Sequence, residues 1–165
     1  MAETSFGSLH NLFVHELKDI LDAEHQITEA LPKMSQAATS PTLKQKFDTH
    51  LQQTREQITR LEQIFQMLQM PPERERCVGM AGLIQEGEMI VSAQGEPSVR
   101  DAGLIAAAQK VEHYEISAYG TLRTFARTLG LQDVANLLQT TLKEESYTDE
   151  TLTQLAERSV NKRAA

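Results

Sequence analysis

Carboxylate and imidazole side chains lie near the middle of four apolar helical patterns in this 165-residue chain. Glu24 and Glu115 take positions within rows of apolar residues that recur every three or four residues, and Glu145 and Asp149 lie one turn apart on a fourth such row. His50 flanks the apolar row of the second helix. Because carboxylate oxygen and imidazole nitrogen bind iron and manganese, the spacing predicts a metal site inside a helical bundle.

The cost of burying these acids supports the same interpretation. An ionised carboxylate among leucines is strongly unfavourable unless it is paired, protonated or bound to a cation, and the apolar rows hold no Lys or Arg at the height of the acids. Glutamates that meet across helices raise one another's pKa, and a divalent ion supplies the missing counter-charge. Glu112 lies one turn before Glu115, so this pair can bind one ion or bridge two. We predict one or two ions, with iron as the first choice and manganese as the second.

Composition and charge exclude several classes of protein. Hydrophobic residues make up 40% of the chain and aromatic residues 5%, without Trp, which favours Leu-, Ala- and Glu-rich helices over sheets. A net charge of −7 argues against a nucleic-acid partner. The single cysteine, Cys77, excludes an intramolecular disulfide and a cysteine-based zinc site. No apolar run is long enough to span a membrane and the N-terminus lacks a signal pattern, so we expect a soluble cytoplasmic protein without a membrane partner.

The helical periodicity predicts one all-α domain over residues 1–165. The expected helices cover residues 5–38, 41–70, 98–129 and 132–160, with a short amphipathic helix over 79–93. The connection from Glu73 to Pro97 is too long for a tight turn but suits a crossover along the bundle, which lets the second and third long helices run parallel. Residues 161–165 are expected to fray.

Local signals indicate where helices begin and end. The first helix is expected to start after Thr4 or Ser5, either of which can cap the free amides of the first turn. Pro32 is expected to kink this helix or to end it early. Ser98 and Asp101 have the spacing of a capping box at the start of the third long helix.

Several polar neighbours of the acids are interpreted as lying outside the site. Glu144 is roughly 100° around the helix from Glu145, so we expect it to be solvated. His113 lies nearly opposite Glu115 and is expected to be exposed. Tyr119, one turn after Glu115, is either a core tyrosine or a hydrogen-bond donor to a ligating carboxylate.

Seven segments of the chain resemble a known family. They are AAQKVEHYEI (107–116), YGTL (119–122), DAEHQ (22–26), HLQQT (50–54), CVGMAGLI (77–84), RDAGLIAAA (100–108) and TLKEE (141–145). Together they are similar to the YciE/YciF family of bacterial ferritin-like stress proteins over nearly the whole chain. The resemblance implies a ferritin-like four-helix bundle that forms a homodimer and holds a di-iron or other dinuclear site.

The resemblance also implies a set of metal ligands. Carried onto this chain, they are Glu24, His50, Gln53, Glu112, Glu115, Glu145 and Asp149. Two features depart from the usual pattern. Di-iron carboxylate proteins commonly carry Glu-x-x-His on two helices, whereas Phe47 precedes His50 and no histidine follows Glu145. Members of the family often have glutamate where this chain has Gln53, so a single ion or a partly filled site is an alternative.

Two functions remain open at this stage. The first is a metal-binding stress-response protein, with weak oxidase or peroxidase chemistry as an undecided addition and no catalytic residue assigned. The second is a metal-free structural or protein-interaction bundle, which Gln53 and the missing second histidine favour. Cage-forming iron storage is disfavoured because nothing in the chain specifies a large symmetric assembly. Glu115→Gln separates the first two functions, since only metal binding requires this carboxylate.

Overall fold

Four long helices and one short helix in a crossover make up the fold of residues 6–165, which the computed structural model describes. The elements are α1 (Leu9–Ala37), α2 (Pro41–Met67), α3 (Val78–Ser92), α4 (Pro97–Thr128), α5 (Gln132–Leu155), a π-helical turn (Ala156–Val160) and α6 (Asn161–Ala164). No strand occurs in this described part of the chain. The prediction of an all-α bundle with a short helix in its long crossover is confirmed.

The helices form because their apolar residues recur at a spacing of three or four, which places them on one face of each helix. In α1 the buried face consists of Phe13, Leu17, Ile20, Leu21, Ala23, Glu24, Ile27, Leu31 and Met34. Glu24 takes the middle of this face and is fully buried. The same periodicity that builds the core therefore carries the acid into it.

Asp101, in the first turn of α4, fixes how the two halves of the bundle meet. Its carboxylate accepts hydrogen bonds from the backbone N–H groups of Thr39, at 2.7 Å, and Ser40, at 2.8 Å. Ser40 is the N-cap of α2. Because α2 and α4 begin at the same end of the bundle, they run parallel, as the length of the crossover predicts.

The start of α1 differs from the prediction, whereas its end agrees with it. Thr4 and Ser5 lie outside the described residues, but residues 6–8 are not helical and the helix begins at Leu9. Ser8 is the cap, and its hydroxyl accepts the N–H of Asn11 at 3.1 Å. Of the two effects expected of Pro32, a kink or an early end, the early end does not occur, since the helix continues to Ala37.

Two further predictions about helix ends are wrong. The N-cap of α4 is Glu96, which makes no side-chain capping bond, so Ser98 and Asp101 form no capping box. Asp101 instead binds the loop between α1 and α2. The C-terminal tail is not frayed, because the π-helical turn joins α5 to the helical segment Asn161–Ala164.

The crossover is held against α1 by hydrogen bonds to the backbone groups of Glu75 and Cys77. The N–H of Glu75 donates to the carbonyl of Lys18 at 3.2 Å, and the N–H of Cys77 donates to the carboxylate of Asp22 at 2.9 Å. The amide of Gln26 donates to the carbonyl of Cys77 at 3.0 Å. These bonds place the start of α3 beside α1.

None of the helices within residues 6–165 has both the length and the hydropathy of a membrane span.

Candidate metal centre

Four buried side chains from three helices converge in the middle of the bundle. They are His50 on α2, Glu112 and Glu115 on α4, and Glu145 on α5. Each offers one ligand atom, and these four atoms all lie within 4.8 Å of one another. His50 is 4% exposed and the three acids are between 0% and 1% exposed. One imidazole nitrogen and three carboxylate oxygens at this separation can surround a single ion.

Glu24 brings the remaining long helix, α1, to the same layer. Its carboxyl group lies against that of Glu115, close enough for the two to share a hydrogen bond when one is protonated. Its other contact is Tyr119, whose hydroxyl donates to Glu24 Oε1. The structure therefore brings together five of the seven residues proposed from the sequence: Glu24, His50, Glu112, Glu115 and Glu145.

Gln53 and Asp149 do not join this layer. Gln53 is half-buried and lines a groove between α2 and α5 on the outside of the bundle. Asp149 accepts a hydrogen bond from the side-chain amide of Gln109 at 3.0 Å. Its second oxygen lies 3.4 Å from Nε2 of His113, whose side chain is 68% exposed, as predicted. Gln53 faces the outer groove, and Asp149 lies at the edge of the layer, where its charge contributes to the raised pKa of Glu112.

Gln57 contributes to the layer, although it was not among the predicted ligands. Its amide nitrogen donates to Glu145 Oε1 and, at 3.2 Å, to Glu144 Oε2. The sequence signal that could have identified Gln57 is its separation of seven residues from His50. Seven residues rotate an α-helix by about two full turns, so Gln57 returns to the face of His50, whereas the three residues to Gln53 leave it roughly 60° away.

Arg60 holds the outer edge of the layer, one turn beyond Gln57. Its guanidinium donates to both oxygens of Glu144, at 2.8 and 3.0 Å, and to the hydroxyl of Thr141 at 2.6 Å. The prediction that Glu144 is solvated is wrong, since this pairing leaves its side chain only 28% exposed. Because the charge of Arg60 is already paired with Glu144, it cannot neutralise all of the buried acids.

Burial controls the protonation of the layer. It is the largest cause that raises the pKa of Glu24, Glu112 and Glu115 well above the usual range, and the charge of Glu145 is the next. Burial also raises the pKa of Glu145, to about 7. It lowers the pKa of His50 to about 4, so this imidazole is neutral at neutral pH and its lone pair is free to bind a metal.

Many ligand-type atoms in this layer have no hydrogen-bond partner among residues 6–165. They are one oxygen each of Glu24, Glu112 and Glu145, both oxygens of Glu115 and both ring nitrogens of His50. Buried polar atoms are nearly always paired in native proteins. Protons shared between neighbouring carboxyl groups would pair some of these oxygens but neither nitrogen of His50, so the remaining atoms require an explanation. Oxygen and nitrogen donors converging from four helices fit a divalent transition-metal ion.

Fold and site together define a class of protein: a four-helix bundle with a crossover helix and a buried layer of histidine and glutamate. The chain belongs to the family described as "Domain of unknown function (DUF892)", whose model matches residues 8–165.

Related proteins match this chain over nearly their whole length. Protein YciF of Escherichia coli K12 is 46% identical over 158 residues, which cover 95% of both chains. The crystal structure of the E. coli stress protein YciF matches with a TM-score of 0.91 at 45% identity, covering 95% of this chain and 99% of that one. YcfI from Rhodopseudomonas palustris, described as a candidate structural protein, matches with a TM-score of 0.89 at 40% identity. The match covers 93% of this chain and 98% of that one. The predicted resemblance to the YciE/YciF family is confirmed.

Proposed function

We propose that this protein binds one or two divalent transition-metal ions, iron in preference to manganese, in its buried polar layer. The observation that carries the proposal is the set of unpartnered donor atoms on His50, Glu112, Glu115 and Glu145. Glu24, which lies against Glu115, adds carboxylate oxygen for a second ion. Gln53 and Asp149 are left out of this ligand set because they lie at the edge of the bundle.

Each residue of the layer has a distinct role in this proposal. His50 supplies a neutral imidazole, which its burial keeps deprotonated. Glu112, Glu115 and Glu145 supply carboxylates whose mutual repulsion and desolvation a cation removes. Gln57 orients Glu145 through its amide hydrogen bond. A bound iron or manganese ion would supply Lewis-acid or redox chemistry, and the fold alone does not specify which reaction follows.

The physiological setting of the proposal comes from the relatives. The E. coli protein of known structure is described as a stress protein. Because the two proteins are 46% identical over 95% of both chains, we extend this role to the present chain. In this proposal the protein is a cytoplasmic homodimer that binds metal during stress. Light scattering after size-exclusion chromatography tests the dimer, because a monomer or a large cage gives a clearly different mass.

Metal reconstitution tests the binding itself. Anaerobic protein is loaded with Fe(II) or Mn(II), desalted, and assayed for metal per chain and for melting temperature. We expect one or two ions per chain and a higher melting temperature, because a ligand that binds only the folded state stabilises it. Less than about a tenth of an ion per chain, with an unchanged melting temperature, contradicts the proposal.

Glu115→Gln is the diagnostic variant, and Glu56→Gln is its control. Glu56 is exposed on α2, so the control makes the same change of charge outside the layer. We expect Glu115→Gln to lose metal binding while the metal-free protein melts no lower than the wild type, since burial and neighbouring charge disfavour an ionised carboxylate at this position and the amide does not ionise. Glu56→Gln should bind metal normally.

A metal-free structural bundle is the second candidate function. Two observations favour it: Tyr119 and Gln57 already donate to two of the acids, and YcfI is described as a candidate structural protein. In that case protonation alone keeps the acids neutral. Glu115→Gln then remains neutral or stabilising, and neither iron nor manganese changes the melting temperature of the wild type.

A further inference from the structure

The outer groove between α2 and α5 encloses about 240 Å³ and is lined entirely by polar side chains. Because side chains three or four residues apart are neighbours on a helix surface, the residues from α2 form one strip along that helix. They are Thr42, Gln45, Lys46, Thr49 and Gln53. The metal layer uses none of them, so the groove is a second polar feature of the bundle.

The opposite wall of the outer groove belongs to α5 and consists of Tyr147, Thr148 and Thr151. Thr148 and Thr151 donate their hydroxyl hydrogens to carbonyl groups of α5 itself, at 3.1 and 3.0 Å. Each oxygen keeps a lone pair that can accept a further hydrogen bond. Tyr147 is 65% exposed, so its ring is accessible to a ligand in the groove. Such a ring combines an apolar face with a polar hydroxyl.

Lys46 gives the outer groove its charge. It is the only charged residue in the lining, although acidic residues outnumber basic ones by 23 to 16 in the whole chain. Lys46 is half-buried, and it forms no ion pair within residues 6–165. An ammonium group that is partly removed from water gains from a negative partner. The groove therefore favours a ligand with a negative group.

Gln53 supports the same preference. It is half-buried in the lining, and its amide can both donate and accept hydrogen bonds. A glutamate of nearly the same shape would repel a negative ligand and offer Lys46 a competing partner. Together with the threonine hydroxyls, the amide suits hydroxyl groups, which also donate and accept.

The volume of the outer groove limits the size of the ligand. An engineered cavity that holds benzene measures about 150 Å³, and pockets for drug-sized molecules begin at about 300 Å³. At about 240 Å³, the groove has room for one six-membered ring with its substituents, or for an open chain of similar size.

We propose that the outer groove binds a small polyhydroxylated anion: a single sugar or sugar acid that carries one phosphate or carboxylate group. Lys46 pairs with the negative group, and the threonine hydroxyls and glutamine amides bind the hydroxyl groups. This proposal is independent of the proposed metal function, because no residue of the groove belongs to the ligand set.

Titration of the full-length, metal-free protein tests the proposal with glucose 6-phosphate and gluconate as probes. Nuclear magnetic resonance follows the threonine methyl groups. We expect saturable shifts at Thr49 and Thr151 with a Kd of about 1 mM or tighter for at least one probe. Thr59, which is exposed on α2 outside the groove, should not shift. The absence of saturable shifts with both probes, or equal shifts at Thr59, overturns the proposal.

Two simpler probes show which features of the ligand are recognised. Glucose lacks the negative group, and inorganic phosphate lacks the hydroxyl-bearing ring. We expect each to bind at least about tenfold more weakly than the better of the two larger probes, because each loses one set of hydrogen bonds. Equal affinity for either simple probe overturns the proposal. Tighter binding of glucose 6-phosphate identifies a sugar phosphate as the ligand, whereas tighter binding of gluconate identifies a sugar acid.

Lys46→Met and Lys44→Met make the same change on α2, but only Lys46 lines the outer groove. Lys44 is exposed. We expect Lys46→Met to weaken binding of the better probe at least about tenfold, since a charged hydrogen bond is lost. Lys44→Met should bind as the wild type does, and Lys46→Arg should retain most of the affinity because it keeps the charge. Equal affinity of the two methionine variants overturns the proposal.

Gln53→Glu provides a second test that removes no side chain. It should weaken binding of the better probe several-fold, because it adds a negative charge to the lining. Gln52→Glu is the matched control, since Gln52 is exposed on α2 outside the groove. Equal affinity of these two variants overturns the proposal. All of these titrations use metal-free protein, so their failure is distinguishable from failure of metal binding.

Discussion

Tyr119 on α4 donates its hydroxyl hydrogen to Glu24 on α1, and both side chains are fully buried. Burial and the neighbouring charge of Glu24 raise the pKa of Tyr119, so the hydroxyl keeps its hydrogen. The bond in turn opposes the effect of burial on the pKa of Glu24. One oxygen of Glu24 is thus held by the tyrosine. The other accepts no hydrogen bond within residues 6–165 unless Glu115 is protonated, so it can bind a cation once both carboxyl groups are ionised.

Tyr119→Phe should weaken metal binding without removing it. Loss of a hydrogen bond to a ligand typically costs 10- to 100-fold in metal affinity, and we expect roughly tenfold because Glu24 is one ligand of several. The metal-free protein should lose about 1–3 kcal/mol of stability, since Glu24 Oε1 becomes unpaired. Competition with a chelator of known affinity measures the first effect, and urea unfolding the second.

Tyr114→Phe is the control for this variant. The hydroxyl of Tyr114 donates to Asp19 at 2.9 Å and lies 3.0 Å from the sulfur of Cys77, outside the polar layer. We expect a comparable loss of stability and unchanged metal affinity. Equal losses of affinity in the two phenylalanine variants would show that the effect of Tyr119 is general destabilisation.

The sequence predicts the bundle because its signal extends over whole helices. Apolar residues repeat through more than twenty residues in each long helix, and a long connection implies the parallel crossover. Helix ends are predicted less well because their partners are not local. Asp101 has the spacing of a cap for its own helix, yet it binds Thr39 and Ser40, about sixty residues earlier in the chain.

The same distinction applies to the site. Glu24, Glu115 and Glu145 are predicted because each interrupts an apolar row, and a buried acid is visible in the pattern itself. The burial of Glu144 could not be predicted in this way, because its partner Arg60 lies on a different helix. No pattern within α2 or α5 shows that the two helices are neighbours at this point. The resemblance brings in Gln53 by its place in a motif, and the helix rotation carries it away from the layer.

Gln57→Ala and Gln53→Ala make the same change on α2 with different expected results. Gln57 is 1% exposed and bonded to Glu145, whereas Gln53 lines the outer groove. We expect Gln57→Ala to lower metal affinity at least about tenfold and Gln53→Ala to leave it within about twofold of the wild type. Calorimetric titration of both variants measures this difference. A larger loss for Gln53→Ala would restore Gln53 to the ligand set.

Asp101→Ala should destabilise the fold and spare the site. The carboxylate accepts three hydrogen bonds, two from Thr39 and one from Ser40, and is 2% exposed. We expect unfolding in urea to require about 2–4 kcal/mol less, because buried donors lose a charged partner. Asp48→Ala, which removes one exposed hydrogen bond from Ser35, should cost less than about 1 kcal/mol. Metal per chain should match the wild type in both variants.

The stability of the metal-free protein should fall as the pH rises through about 7. The folded state raises the pKa of Glu145 to about 7 and those of Glu24, Glu112 and Glu115 well above their usual range. Protonated acids in the fold contribute stability that is complete below the unfolded pKa and is lost as the pH rises through the folded values. The pKa of His50 is lowered, so this group is mostly neutral in both states across the window and adds little to the slope.

Urea unfolding in the presence of a chelator measures this slope, and two comparisons identify its source. Glu115→Gln should flatten the decline, because one of the repelling acids no longer ionises. Glu56→Gln changes the same charge at an exposed position and should leave the slope as it is in the wild type. Saturating Mn(II) should remove or reverse the decline, since the ion binds the ionised carboxylates that higher pH provides. A metal-free protein that becomes more stable as the pH rises through about 7 would mean that the acids are already ionised and paired. The layer would then not need a cation.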